Sequence, residues 1–172
     1  MKLIAAEIVA ADPLIGHLCA QVDLYSKVGD PLRDRYIGFC AVTVATHLET
    51  LIKTVVLEFC RTQNRYLHSV FEDELQRFNA RISYQDLRKL LKRLDRSFDA
   101  HFVALIQRLN NRRLVAIPGA GDLLKSYESL LEIRHSFVHN LNASFSQVTA
   151  SDLCGYAEAG KRMSSAFARS LS

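Results

Sequence analysis

Apolar residues recur every three or four positions along most of this chain, which is the spacing of one buried helix face. The longest series predicts a core helix from Asp30-Pro31 to about Arg61. Its apolar positions are Val44, Leu48, Leu51, Ile52, Val55, Val56 and Phe59. Asp followed by Pro is typical of a helix start, because the carboxylate caps free amides and proline lacks an N–H. The same pair at Asp12-Pro13 predicts an earlier helix to about Lys27 that stops near Gly29.

Further helices are predicted downstream by the same periodicity and by capping residues. In chain order they are a helix over about Asn64–Phe78, one that opens after Ser83, a short one around Phe98–Leu109, one from Asp122 to about Leu141, and a last one capped near Thr149. The Ser-x-x-Asp pattern at Ser83 resembles a capping box. We expect a loop from Asn110 to Gly121, where glycine and proline cluster around Pro118.

Composition points to the same fold class. Seven glycines and three prolines among 172 residues leave few helix-breaking positions, which favours an all-α fold. The length fits one domain, so we predict a single bundle of about six or seven helices. Its core would span 30–171, and 1–29 would be an N-terminal helical extension. The formal charge of +4 is a mild indication of a polyanionic partner.

Cysteine use and hydropathy indicate the compartment. Cys19, Cys40, Cys60 and Cys154 are widely spread without a CxxC pair, which predicts reduced, buried thiols in a cytoplasmic protein. No stretch reaches about 18 uncharged apolar residues, so we expect no membrane-spanning segment.

The candidate chemistry lies at the end of the Asp122 helix. Arg134, His135, His139 and Asn140 are interleaved there with apolar anchors, and these anchors are Leu130, Ile133, Phe137 and Leu141. The spacing of the anchors predicts that one side of the helix is buried and holds the polar group in place. Arg134 and His139 would lie about 140° apart around the helix and about 7.5 Å apart along it.

This pair of residue types suits RNA cleavage. A neutral imidazole can take the 2′-hydroxyl proton, and its protonated form can give a proton to the leaving oxygen. A guanidinium can stabilise the negative charge that develops on the phosphate. Two copies packed about a two-fold axis would bring each Arg134 near the other copy's His139. Such a site requires neither a metal nor another cofactor.

An Arg, a polar residue and then a His after a short spacer, late in an all-helical domain, resemble the Rx4–6H motif of the HEPN superfamily. The long helix with Thr46-His47-Leu48-Glu49-Thr50-Leu51-Ile52-Lys53 and the spacing of the later helices are most similar to its RiboL-PSP branch. The resemblance extends from about Asp30 to Leu171. It implies an α-helical, usually homodimeric, metal-independent ribonuclease, of a kind that often serves as a bacterial toxin or defence effector.

Position by position, the resemblance assigns the motif arginine to Arg134 and the motif histidine to His139. His135 takes the place of the polar residue, Asn140 stands where many members have glycine, and Glu49 matches an acidic residue that can hold the arginine. The implied partners are RNA, a second copy of the chain and, for toxin members, an antitoxin protein. Two other stretches match the motif, Arg61 to His68 and Arg96 to His101, but only Arg134 to His139 precedes a single final helix.

A second cationic feature lies on the outer face of the helix after Ser83. Its residues are Arg88, Lys89, Lys92, Arg93 and Arg96. They form either a solvated basic face or a surface that tracks RNA phosphates. No aromatic residues alternate with these charges, so stacking of single-stranded bases is not indicated.

Three alternatives to an enzyme remain open. The chain could be a non-catalytic HEPN-like module that dimerises and binds a nucleotide or RNA. His135 and His139 are four residues apart, which is metal-pair spacing, and Cys154 or another His could supply a third ligand. In a purely structural interpretation, Arg134 would form a salt bridge with Glu132 or Glu128.

Overall fold

The computed structural model describes residues 13, 15–18, 20–22, 31–76, 82–116 and 121–172. Within this part of the chain, the regular structure is helical throughout, so the prediction of an all-α, single-domain bundle is confirmed. The helices are α1 (Pro31–Gln63), α2 (Arg65–Gln76), α3 (Tyr84–Leu94), α4 (Arg96–Ala116), α5 (Leu123–His139) and α6 (Ala150–Ser170). The described residues between 13 and 22 are also helical and bury Ile15, Leu18 and Val22 in the core. The predicted stop near Gly29 lies outside the described residues.

Helix α1 is the centre of the bundle and packs against α2, α5 and α6. The predicted apolar series is buried, apart from Phe59, which is partly exposed. By length and composition alone, the segment Leu32–Gln63 could cross a membrane. Half of the most apolar 18-residue stretch of this segment is buried inside the bundle. The core helix of a helical bundle has the same length and composition, so these two properties do not distinguish it from a membrane-spanning helix.

Two glycines show how α1, α5 and α6 are aligned. A side chain at Gly38 on α1 would overlap the ring of Phe137 on α5. A side chain at Gly160 on α6 would overlap Leu48 and approach Leu130 at 3.5 Å. Phe137 on α5 therefore lies level with Gly38 on α1, and Leu130 lies level with Leu48. Because the residue numbers rise along α1 as they fall along α5, the two helices are antiparallel. This arrangement places the C-terminal end of α5 beside the N-terminal end of α1.

The predicted loop from Asn110 to Gly121 is wrong over its first part. Helix α4 continues to Ala116, while 117–120 lie outside the described residues. The side chain of Asn110 donates to Asp122 Oδ2 at 2.7 Å and accepts from the Leu123 N–H at 2.9 Å. The side chain of Asn110, which was predicted to begin the loop, therefore ties α4 to the N-terminus of α5.

The expected capping box at Ser83 is confirmed, since Ser83 and Asp86 bond reciprocally to each other's backbone amides. The prediction for the cysteines holds only in part. Cys40 and Cys60 are buried free thiols, and burial raises the pKa of Cys40 to about 11. Cys154 is exposed, because it lies beside the buried stripe of α6 rather than on it, and Cys19 is outside the described residues.

Candidate functional site

Two imidazoles lie together at the exposed end of α5. His135 and His139 are one helical turn apart, their ring centroids are 4.4 Å apart, and the ring planes meet at 61°. Both side chains are exposed, and neither has a hydrogen bond or an ion pair with a described residue. This histidine pair is therefore accessible to an incoming phosphodiester without any rearrangement of the helix.

Arg134 lies on a different side of the same helix and is half-buried. Phe137 marks the side that contacts α1, and Arg134 is about 60° from it, whereas His139 is about 160° away. Among the described residues, no ion pair joins Arg134 to a carboxylate, so the salt bridge to Glu132 or Glu128 that the purely structural interpretation requires is not seen there. Within one copy, the guanidinium thus faces the junction with α1 while the histidine pair faces away from it.

The junction carries exposed apolar side chains that the sequence did not single out. In an antiparallel pair, the residues that directly follow the contacting positions point to the same face of both helices. Phe39 follows Gly38 and Val138 follows Phe137, and these side chains are 54% and 53% exposed. We define the α1–α5 outer face by Leu32, Arg35, Phe39, Arg134, Val138 and Leu141. Isolated exposed apolar residues are ordinary, but a contiguous group is typical of an interaction surface.

The only sequence signal for this face was weak. Leu32 and Phe39 are seven residues apart and lie off the main apolar stripe of α1. A second, shorter stripe of this kind indicates a second apolar face. This short stripe is hard to recognise in the sequence, because the stronger apolar series through Val44 and Leu48 lies on the same long helix.

Asn140 acts in the turn that ends α5. Its backbone N–H donates to Ser136 O at 2.9 Å, and its side-chain oxygen accepts from the Asn142 N–H at 3.0 Å. Because the helix ends at His139, Leu141 is not a buried anchor as the periodicity predicted. Its side chain is 63% exposed and belongs to the outer face.

Glu49 does not meet Arg134 in this structure. Its carboxylate pairs with Lys53 Nζ at 2.8 Å, one helical turn further along α1. Since Gly38 faces Phe137, the antiparallel alignment places Glu49 more than one helical turn further along α1 than Arg134. Glu49 is therefore a partner of Lys53 and not of the candidate site.

The predicted basic face on α3 is largely neutralised by carboxylates. Arg88 forms a two-bond pair with Asp99 at 2.8 and 3.0 Å, and Lys92 lies 3.6 Å from the same carboxylate. The other two pairs are Lys89 with Asp86, at 3.3 Å, and Arg93 with Glu74. Arg96 is exposed and forms no ion pair within the described part of the chain. The Arg88 guanidinium holds the pKa of the Asp99 carboxyl below its usual range.

No group of three or more His, Cys, Asp or Glu side chains that could hold a metal ion is found among the described residues. Within that part of the chain, Cys154 does not complete a site with the histidine pair. Concave regions among the described residues lie away from the histidine pair. One of about 370 Å³ is bounded by the C-terminal ends of α1 and α6, and one of about 300 Å³ lies between α2 and α3.

Comparisons of this chain with protein-family models, with curated proteins and with solved structures gave no match. The features of this molecule that bear on its function are the histidine pair, Arg134 and the α1–α5 outer face.

Proposed function

We propose that this protein is a metal-independent endoribonuclease of the HEPN type that acts as a homodimer. His139 serves as the general acid or base, and Arg134 binds and polarises the scissile phosphate. His135 positions or exchanges a proton beside His139, and Asn140 shapes the end of the helix. The attacking 2′-oxygen forms a bond to phosphorus as the bond to the 5′-oxygen breaks. The proton lost by the 2′-hydroxyl goes to an imidazole, and an imidazolium protonates the leaving oxygen.

The observation that supports this chemistry is the exposed histidine pair. Histidine is the side chain best suited to both accept and donate protons near neutral pH. A buried histidine tied into ion pairs would be unavailable for this exchange. His135 and His139 have no such partners among the described residues, and their rings are 4.4 Å apart.

A second copy of the chain is needed to complete the site. On one helix, Arg134 and His139 point about 140° apart, so they cannot both face one phosphate. A two-fold pairing through the α1–α5 outer face would bring Arg134 of one copy toward His139 of the other. That pairing would remove exposed apolar side chains from contact with water, namely Phe39, Val138 and Leu141. Removing apolar surface from water favours association.

The test is cleavage of a labelled RNA in the presence of a chelator, with wild-type protein and with His139→Ala and Arg134→Ala. The matched control is His101→Ala, because His101 is an exposed histidine on α4 that belongs to one of the two other motif matches. We expect the two site variants to lose cleavage and the control to keep it. An equal mixture of the two inactive variants, refolded together, should recover part of the activity through hybrid dimers. No recovery would contradict a site shared between copies.

RNA that is bound but never cleaved by wild-type protein would instead favour the non-catalytic dimerisation module. The proposed activity also implies that expression in bacteria arrests growth unless an antitoxin protein covers or modifies the site. His139→Ala should relieve that arrest, whereas His101→Ala should not.

A further inference from the structure

The loop between α5 and α6 is attached to the first turn of α1 by three consecutive residues. Arg33 Nη2 donates to Val148 O at 2.5 Å, and Asp34 Oδ2 accepts from Ser144 Oγ at 2.9 Å. Arg35 Nη2 donates to Asn142 Oδ1 at 3.3 Å. Successive helical residues point about 100° apart, so the loop wraps around the end of α1 through about 200°. We call these three attachments the loop clamp.

The loop clamp uses charged groups where burial makes them costly. Arg33 and Asp34 are only 7% and 8% exposed. Within the described part of the chain, Arg33 Nη1 and Asp34 Oδ1 are buried and have no hydrogen-bond partner. Buried charges that are incompletely paired lower stability, and apolar side chains would anchor a loop more stably. The clamp therefore gives the loop one defined position at some expense of stability.

A chain of hydrogen bonds leads from the Arg35 attachment of the loop clamp to Ser136 O in the last turn of α5, the turn that contains His139. Asn142, held by Arg35, donates its backbone N–H to Asn140 Oδ1 at 3.0 Å. Asn140 in turn donates its backbone N–H to Ser136 O at 2.9 Å, which closes the last turn of α5. The last turn of a helix lacks onward partners and frays unless it is tied down. Because His139 is the final residue of α5, the loop determines how firmly its imidazole is oriented.

We propose that Asp34 and Arg35 are positioning residues, which orient His139 by holding the loop after α5. This inference rests on the proposed ribonuclease function for its catalytic consequence but not for its structural part. Neither residue needs to touch RNA for this role. The general acid or base must be held in a productive geometry, and an error of about 1 Å can cost about 100-fold in rate.

The central test compares Ser144→Ala with Ser144→Thr. Alanine removes the hydroxyl that Asp34 accepts from, whereas threonine keeps it. Ser146→Ala is the matched control, because Ser146 lies in the same loop and has no hydrogen bond within the described residues. We expect Ser144→Ala to lower the single-turnover rate of RNA cleavage by about tenfold or more, with nearly unchanged RNA affinity. Ser144→Thr and Ser146→Ala should keep the wild-type rate, and Arg35→Lys should retain more activity than Arg35→Ala.

An NMR measurement of the histidine side chains tests the structural part without any RNA. In Ser144→Ala and in Asp34→Asn, the imidazole signals of His139 should shift or broaden. Those of His68 on α2 and His101 on α4 should stay unchanged, which also shows that the variant is folded. Unchanged His139 signals in folded Ser144→Ala would overturn the inference, even if cleavage is seen. Shifted His139 signals in a wild-type protein that never cleaves RNA would keep the loop clamp and reject the ribonuclease.

Discussion

The histidine end of α5 was predicted to meet RNA, and the basic face of α3 was interpreted either as a solvated face or as a second RNA contact. The two surfaces differ in how many of their cations have carboxylate partners. Four of the five cations predicted on α3 are held by carboxylates, whereas His135, His139 and Arg134 form no ion pair within the described residues. The formal charge of a surface is therefore a poor guide to the charge that it can offer a ligand. The partners supplied by neighbouring helices decide how much remains available.

The difference comes from what surrounds each surface. Helix α3 receives Glu74 from α2 and Asp99 from α4, and Asp99 is buried enough to bind its partners with little screening. A phosphate on α3 would have to displace these carboxylates. The end of α5 is bordered by α1, where Arg35 and the apolar Phe39 are exposed and the carboxylate of Asp34 is buried against Ser144. Within the described residues, an anion approaching from that side therefore meets a cation and an apolar side chain before it meets a carboxylate.

The largest expected effect is a difference in RNA cleavage between variants of the two surfaces. His139→Ala should lower RNA cleavage by at least about 100-fold, because a general acid or base contributes on that scale. The double variant Lys89→Ala/Arg96→Ala, which changes the predicted basic face on α3 and at the start of α4, should lower it by a few-fold at most, since Lys89 is already paired. Single-turnover cleavage of one labelled RNA measures both. An equal loss from the α3 variant would break the comparison.

The second prediction concerns the contact that aligns α5 with α1. Gly38→Ala would force a methyl group into the ring of Phe137. Overpacking of this kind should lower the free energy of unfolding by about 1–3 kcal/mol and displace the end of α5. Urea unfolding followed by circular dichroism gives the loss. Gly16→Ala is the matched control, because nothing lies within 4 Å of that position, and it should be neutral or stabilising.

A smaller effect is expected from the carboxylate that neutralises α3. Asp99→Asn should lower stability at pH 7 by about 1–2 kcal/mol, because Arg88 loses its charged partner. Arg88 lowers the pKa of Asp99 in the folded protein. The Arg88–Asp99 pair therefore contributes fully to the free energy of unfolding at pH values above the unfolded-state pKa of Asp99, about 3.9. This contribution is lost as the pH falls through the lower pKa that Asp99 has in the folded protein. Urea midpoints of wild type and variant should converge below about pH 4, and a constant gap would contradict this.

The smallest effect tests a residue that serves only the fold of α3. Ser83→Ala removes the capping box with Asp86 and should cost about 1 kcal/mol, whereas Ser83→Thr should keep most of it. RNA cleavage should not change in either variant, because the cap lies away from the histidine pair. Thermal unfolding and the cleavage assay together measure this. A cleavage loss in folded Ser83→Ala would implicate α3 in RNA binding after all.

Local signals predicted most of the fold. Helix α1 begins at Pro31 as expected and ends at Gln63, two residues beyond the predicted Arg61. The caps Ser83, Asp122 and Thr149 all accept hydrogen bonds from their own helix starts. These features depend on residues only a few positions apart, so the chain determines them without reference to distant partners.

The errors lie where distant residues decide the outcome. A loop was predicted to begin at Asn110, but the helix continues to Ala116. The side chain of Asn110 forms hydrogen bonds with Asp122 and with the backbone N–H of Leu123. Leu141 fits the apolar period but falls beyond the end of the helix. Glu49 was placed near Arg134 by resemblance, while the alignment of α1 with α5 leaves it with Lys53. None of these outcomes is encoded in spacing along the chain.

The sequence by itself determined the helices, their caps and the presence of Arg134, His135 and His139 on one helix. Only the tertiary structure decided that the imidazoles have no hydrogen bond or ion pair with a described residue, that the basic face of α3 is largely neutralised, and that Phe39 and Val138 share a face. Helix formation depends on hydrogen bonds and side chains within a few residues, whereas exposure and ion pairing depend on which helices pack together. Cationic side chains on α3 are therefore paired with carboxylates, whereas Arg134 and the two histidines at the end of α5 form no ion pair within the described residues.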